Sequence, residues 1–196
     1  DWPTCLTDLA KPPIGLIIKG DRRVLSDLDK SIAIVGSREP TNYGLQLSYN
    51  LAKQSGSAGL VVISGGAYGI DRSAHLGVLA ASGKTISVLA GGINRLYPAD
   101  NRKLFNEITQ SGLLISEVMP NVSSQPYRFL IRNRLIAALS HHNAIRKGLN
   151  KPVFEKNQLK KDLLKIAPQI LKYSKQVWKK IDEFKLQKKK ILFEGA

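Results

Sequence analysis

The residue pattern predicts an α/β fold: a doubly wound, mainly parallel sheet that reads as incomplete, followed by a lysine-rich helical tail. Three observations predict it. Four short apolar runs, at 32–35, 60–63, 85–90 and 113–116, contain no charged residue, as strands covered on both faces require. The segments between them place apolar residues at helical spacing. The connections are short, which implies right-handed strand–helix–strand crossovers.

Taken in order, residues 1–21 form a lead-in with Pro12-Pro13 and then a candidate edge strand at 14–18. The first apolar run ends at Gly36. Leu45, Tyr49 and Ala52 then share a helical face, closed loosely by Gln54-Ser55-Gly56. The second run ends at Ser64-Gly65-Gly66. Ile70, Ala74, Val78 and Ala81 repeat at helical spacing and stop at Ser82-Gly83. The third run ends at Gly91-Gly92. Leu104, Phe105 and Ile108 follow Pro98, a good first-turn residue, and stop at Ser111-Gly112. A glycine at such a stop is expected to take the left-handed conformation that closes a helix. The fourth run precedes Glu117, and residues 129–140 read as a helix. A fifth apolar strand should follow, but His141-His142-Asn143 stands there. An exposed edge beside the fourth strand is therefore expected unless the tail covers it. Leu159, Leu163, Ile166, Ile170, Tyr173, Val177, Ile181 and Phe184 run at spacings of three and four, an amphipathic helix or helix pair with a break or kink at Pro168.

Composition bounds the function. In 196 residues, 43% are apolar, enough for a core and too many for global disorder. The net charge of +15 favours a polyanionic partner. It is unevenly spread. Residues 1–140 hold nine Arg and six Lys against ten acids, whereas 141–196 hold one Arg and fourteen Lys against five acids. Glycine falls from fourteen to two across the same point. Two domains are expected, 1–140 and a basic tail at 141–196. The single cysteine, Cys5, excludes an internal disulfide framework and a thiolate zinc site, and no metal or cofactor is expected. No apolar run reaches the roughly 18 residues of a membrane helix. The chain opens on Asp1 and has one methionine, Met119, so a processed or excerpted piece lacking an N-terminal segment is expected. A soluble, cytoplasmic protein is the expectation.

In an open parallel sheet, ligands bind where the strands end. Here those ends read Gly36-Ser37-Arg38, Ser64-Gly65-Gly66 through Gly69 to Arg72, Gly91-Gly92 with Arg95, and a last loop leading to Arg128, Arg132, Asn133 and Arg134. The strand starts offer Lys30 and Lys84 but no arginine. Glycines would let a polyanion approach the backbone, and arginines would add charge and bidentate hydrogen bonds. Tyr43, Tyr68, Tyr97, Tyr127 and Phe129 fall in or just after the same loops. A positive groove with aromatic platforms is the pattern of single-stranded nucleic-acid binding. Phe129 is the best stacking candidate, because arginines flank it on both sides.

Catalytic signatures fail. Residues 36–44 do not follow G-x-G-x-x-G, and Ser82-Gly83-Lys84-Thr85 has Val78 where a P-loop needs its first glycine. Asp71 and His75 lie four apart on one helix, which reads as an N-terminal acid beside an ordinary helical histidine. A nucleotide-binding hydrolase remains an alternative, although no Gly-rich P-G-G-x-G-T loop is present. An inactive, truncated chain is a second alternative.

The runs 32–38, 62–71 with His75, Tyr97-Pro98-Ala99-Asp100-Asn101, Ser116-Glu117 and 129–140 resemble the DNA-processing protein A family, also called Smf, over roughly residues 2–140. The resemblance implies a Rossmann-like domain that binds single-stranded DNA and is not an enzyme. It implies a role in natural transformation, protecting incoming DNA and assisting RecA loading, as a homodimer. The family's Gly-Ser/Thr-Arg clamp falls on Gly36, Ser37 and Arg38. Its glycine loop falls on Ser64 through Asp71, and its Phe-x-x-Arg-Asn-Arg segment on Phe129, Arg132, Asn133 and Arg134. After Ser140 the likeness stops.

Overall fold

The computed structural model describes residues 2–140 except residue 8, together with the single positions 161, 164, 165 and 168. The chain divides into two compact units, Asp1–Pro152 and Val153–Ala196. The periodic apolar positions of the expected tail helix lie outside the described residues; Lys161, Leu164, Lys165 and Pro168, in the same stretch, are helical.

Five strands form one sheet: β1 (Ile17–Gly20), β2 (Ser31–Ala33), β3 (Val61–Ser64), β4 (Thr85–Val88) and β5 (Leu113–Ser116). The order is β1-β5-β4-β3-β2, with β2 through β5 parallel and β1 antiparallel to β5. Helices α1 (Asn42–Ser57), α2 (Ile70–Ala80) and α3 (Arg102–Ser111) make the crossovers, and α4 (Pro126–Leu139) follows β5. The predicted α/β class and mainly parallel sheet are what the chain forms.

The central strands β3, β4 and β5 are buried at every residue and carry no charge, because both faces of the sheet are covered there. Val61, Ile63, Ile86, Val88, Leu113 and Ile115 face α4, where Leu135, Ile136 and Leu139 meet them. Val62 packs instead with Ala52, Ala74 and Val78, and Leu114 with Leu104, Phe105 and Ile108, so α1–α3 share the opposite face. The lead-in is part of this core, which its sequence pattern conceals. The 3₁₀ turn Thr4–Leu6 and the 3₁₀ segment Arg22–Lys30 bury Leu6 and Val24 completely against the α4 face.

The expected exposed edge beside the fourth apolar run is not there. Strand β1 folds back along β5, pairing Ile17 with Ser116 and Gly20 with Leu113, and Asp21 N–H extends the ladder to Gly112 O at 2.9 Å. Among the described residues the unpaired edges are the outer sides of β1 and β2, the two end strands of the sheet.

The helix-stop glycines also need correcting. At the end of α2 the left-handed residue is Ser82 (φ 53°), not Gly83. Gly112 is extended (φ −138°). Helix α1 runs past Gly56 to Ser57, and Gly59 (φ 76°) takes the left-handed turn. These glycines are required by space. A Cβ on Gly83 would lie 2.8 Å from both Gly56 Cα and Val78 Cγ2, and one on Gly112 would overlap Thr85 O. Gly112→Ala is therefore expected to lose about 2–3 kcal/mol in urea denaturation, since backbone cannot yield there. Gly59→Ala, with open space around it, should lose only about 1 kcal/mol from its left-handed backbone. The reverse ranking would restore the left-handed explanation.

His75 lies on the buried side of α2. Thr85 Oγ1 donates to Val62 O (2.7 Å) and so has only a lone pair for His75 Nδ1, 2.8 Å away. The histidine is held as the Nδ1–H tautomer, and complete burial lowers its pKa from 6.5 to about 3. The unfolded chain takes up a proton below about pH 6.5 that the folded one refuses, so stability falls as pH drops through that window. From pH 7 to pH 4.5 this single group should remove about 2–3 kcal/mol. Urea titrations of wild type and His75→Gln at both pH values test it. The wild type should lose that much more on acidification, and parallel losses would refute the assignment.

Candidate functional site

The carboxyl ends of the parallel strands converge on one rim. At the end of β2, Ile70 N–H donates to Ser37 O (3.1 Å) and Glu39 N–H to Ser37 Oγ (3.1 Å). The turn is thus pinned to the start of α2, and Arg38 projects from it into solvent. Its guanidinium lies 4.9 Å from the centre of the Phe129 ring on α4. Arg132, one turn along α4, stands 6.0 Å from the same ring, and Tyr97 meets it edge-on at 5.8 Å. Gly36, Arg38, Phe129, Arg132 and Asn133 line one cleft of about 580 Å³. A neighbouring cleft of about 760 Å³ shares Arg38 and adds Tyr68 and Arg72. Arg38, Arg72, Phe129, Arg132 and Asn133 are therefore gathered, as the rim pattern anticipates.

The arginine beside Phe129 is not the one adjacent in sequence. Neighbouring helical residues point about 100° apart. Arg128 consequently turns away, donating to Ser123 O (2.9 Å) and lying over Tyr127. Arg38, far away in sequence, takes that place.

The glycines serve the fold itself. The space beside each is filled by protein atoms: Ile70 at Gly36 (2.8 Å), the Arg132 guanidinium at Gly65, Ser87 Oγ (2.7 Å) and Phe105 at Gly66, Ser37 O at Gly69, Ser124 N (2.8 Å) at Gly91, and the carbonyls of Met119 and Pro120 at Gly92. Gly66 and Gly69 also need positive φ (68° and 73°). Ser64, Gly65, Gly66, Gly91 and Gly92 are buried, and Ser64 Oγ donates to Ile34 O (2.7 Å). At the buried Gly65, Gly66, Gly91 and Gly92 the space beside the backbone is already taken by side chains and backbone atoms, whereas Gly36 stays exposed.

Two arginines are also engaged internally. Arg132 is 6% exposed. Its Nη1 donates to Gly65 O (2.7 Å) and to Val88 O, bridging the ends of β3 and β4. Arg134 pairs with Glu117 in a half-buried contact. Beside Arg132 lies the buried carboxylate of Asp71, which accepts from the amides of Gly65 (3.1 Å) and Ala67 (3.4 Å). Burial raises the Asp71 pKa, and Arg132 and the amides of Ala67, Gly65 and Gly36 oppose that shift. Burial lowers the Arg132 pKa, and Asp71 opposes it. Asp71 thus organises the glycine loop, a role beyond that of the ordinary N-terminal helix acid its position suggests. Its signal was an acid in the first turn of a helix behind a run of amides. Asp71 and His75 do not act as a pair. Tyr68 donates to Asp100 (2.8 Å), which raises the phenol's pKa.

What remains exposed is Gly36, Ser37, Arg38, Arg72 and Asn133, with Phe129 and Gly69 partly so. Among the described residues no three His, Cys, Asp or Glu side chains gather to hold a metal, and no helix is long and apolar enough to cross a membrane.

Residues 1–147 match the family described as DNA recombination-mediator protein A. The DNA processing protein DprA of Bacillus subtilis is 38% identical over 150 residues, 76% of this chain and 50% of the relative. The DNA processing protein A of Helicobacter pylori, solved for its single-stranded DNA binding mode, superposes with a TM-score of 0.67 at 36% identity, covering 71% of this chain and 63% of that one. The DprA structure from Streptococcus pneumoniae gives 0.66 at 34% identity, covering 71% and 48%. The chain spans about half the length of the Bacillus subtilis relative.

Proposed function

The chain belongs to the DNA recombination-mediator protein A family, and on that premise we propose that it binds single-stranded DNA at the Arg38–Phe129 cleft and acts by binding, not by catalysis. The observation that carries the reading is the exposed Arg38 guanidinium held over a partly exposed aromatic ring. A base stacks on Phe129, or on the guanidinium plane that already covers it. In either arrangement the cation stays at the flanking phosphate, and Arg72 extends the positive rim. Gly36, Ser37 and Asn133 border the strand. The buried residues Ser64, Gly65, Gly66, Gly91, Gly92 and Arg132 act one layer down by setting the shape of the rim, with Gly69 beside them and Arg134 tied to Glu117.

Protection of incoming DNA in natural transformation, assistance to RecA loading and homodimer formation are proposals that rest on family membership. So is action in the cytoplasm. Binding without catalysis is supported by the placement of two acid–base candidates among the described residues: His75 is fully buried and Asp71 is committed to loop amides.

Fluorescence-anisotropy titration with a labelled oligothymidylate at two salt concentrations tests the reading. Affinity should fall steeply with salt, by about 0.7 in log–log slope for each phosphate contact. Absence of binding at low salt would overturn it, and release of adenine from AMP would overturn the non-enzymatic part.

A further inference from the structure

Resting on the single-strand reading above, we propose that the DNA track does not end at Phe129 but crosses Tyr97 into a second basic cleft built from Lys19, Arg95 and Arg102. This cleft of about 490 Å³ is also lined by Asn94, Asn106 and Ser123, and no acidic side chain lines it. All three cations are exposed. Among the described residues, none of them is in an ion pair with an acid.

Tyr97 is the join. It lines the second cleft and also touches Phe129 at 5.8 Å and 69°. At 52% exposure its ring offers a platform beside the first one. Arg38, Phe129, Tyr97 and then Arg95 with Arg102 form a series in which two touching aromatic rings lie between two groups of cations. A lone phosphate or mononucleotide would need only one of the two clefts. Two cation groups joined through an aromatic are what a chain of phosphodiesters needs.

The second cleft is assembled from distant pieces. Lys19 arrives on β1, Arg95 follows β4, and Arg102 opens α3. Arg102 is poorly placed for the helix itself, because a cation in the first turn opposes the helix dipole. The same position is favourable once an anion sits there, where the dipole and the guanidinium act together. Asn106, one turn further along α3, adds a neutral hydrogen-bonding group to the same wall.

Anisotropy titrations of the full chain with oligothymidylates of about 4 and about 16 nucleotides separate the clefts. Arg95→Ala combined with Arg102→Ala should leave the short strand bound within about twofold. The same variant should bind the long strand about tenfold more weakly, with a salt slope smaller by about 1.4 for two lost contacts. The pair Arg95→Gln and Arg102→Gln keeps the side-chain stems and should behave alike. Arg38→Ala should weaken both lengths. An unchanged long strand, or equal losses at both lengths, overturns the second cleft while leaving the first intact. A wild-type chain that binds neither length overturns the single-strand reading and this inference together.

Discussion

Arg38→Ala should weaken oligothymidylate binding about 30-fold, or about 2 kcal/mol, the usual worth of a charge-assisted contact. The salt dependence should become shallower by about 0.7 in slope, because one phosphate contact is gone. The fold should not notice. Arg38 is exposed, and among the described residues it has no acidic partner, so stability should stay within about 0.5 kcal/mol. Lys30 is the control: an exposed cation at the opposite rim, where the strands begin. Its contribution is screened over a distance of about 10 Å at ordinary salt, so Lys30→Ala should cost about twofold at most. Anisotropy titrations of both variants decide the matter. If Lys30→Ala lost as much affinity as Arg38→Ala, general surface charge would be doing the binding, and the cleft would have no special role.

Arg132→Ala should fail in a different way, by loss of stability. Its guanidinium bridges Gly65 O and Val88 O and stands beside the buried Asp71 carboxylate. Removing it leaves a buried negative charge with no cation and two carbonyls without a donor. Leaving buried carbonyls without a donor and a buried carboxylate without a nearby cation costs about 3–5 kcal/mol. Urea denaturation should show that loss. Adding Asp71→Asn to Arg132→Ala should recover part of it, since the uncompensated charge disappears. A phosphate clamp would behave in the opposite manner, with stability kept and DNA affinity lost. An Arg132→Ala protein within about 1 kcal/mol of wild type would therefore return this arginine to the DNA-contacting set.

These two arginines show how far residue patterns reach. Both were legible as rim residues, because both follow a strand end in the chain. Their division of labour was not legible. Arg38 leaves a tight turn into solvent, whereas Arg132 lies on the inward side of α4, and only the docking of α4 onto the sheet separates the two. The partner of Phe129 was hidden for the same reason, since Arg38 comes from a different element. The lead-in was hidden because Leu6 and Val24 sit in short 3₁₀ segments, which are too brief to show a periodicity.

Four charge-free apolar runs, separated by helical spacing and short connections, were sufficient to establish the α/β class, the parallel core and the rim where its strands end. Those are local properties, since burial on both faces requires an uninterrupted apolar run and a short connection requires a neighbouring crossover. Which strands end the sheet, why the rim glycines are glycines, and which cations face solvent depended on contacts between residues far apart in the chain. Strand β1 closes the β5 edge, Asp71 and Arg132 fill the glycine loop from within, and Tyr97 meets Phe129 edge-on. Non-local packing of this kind leaves no periodic mark, because each contact is a single meeting of two surfaces in space.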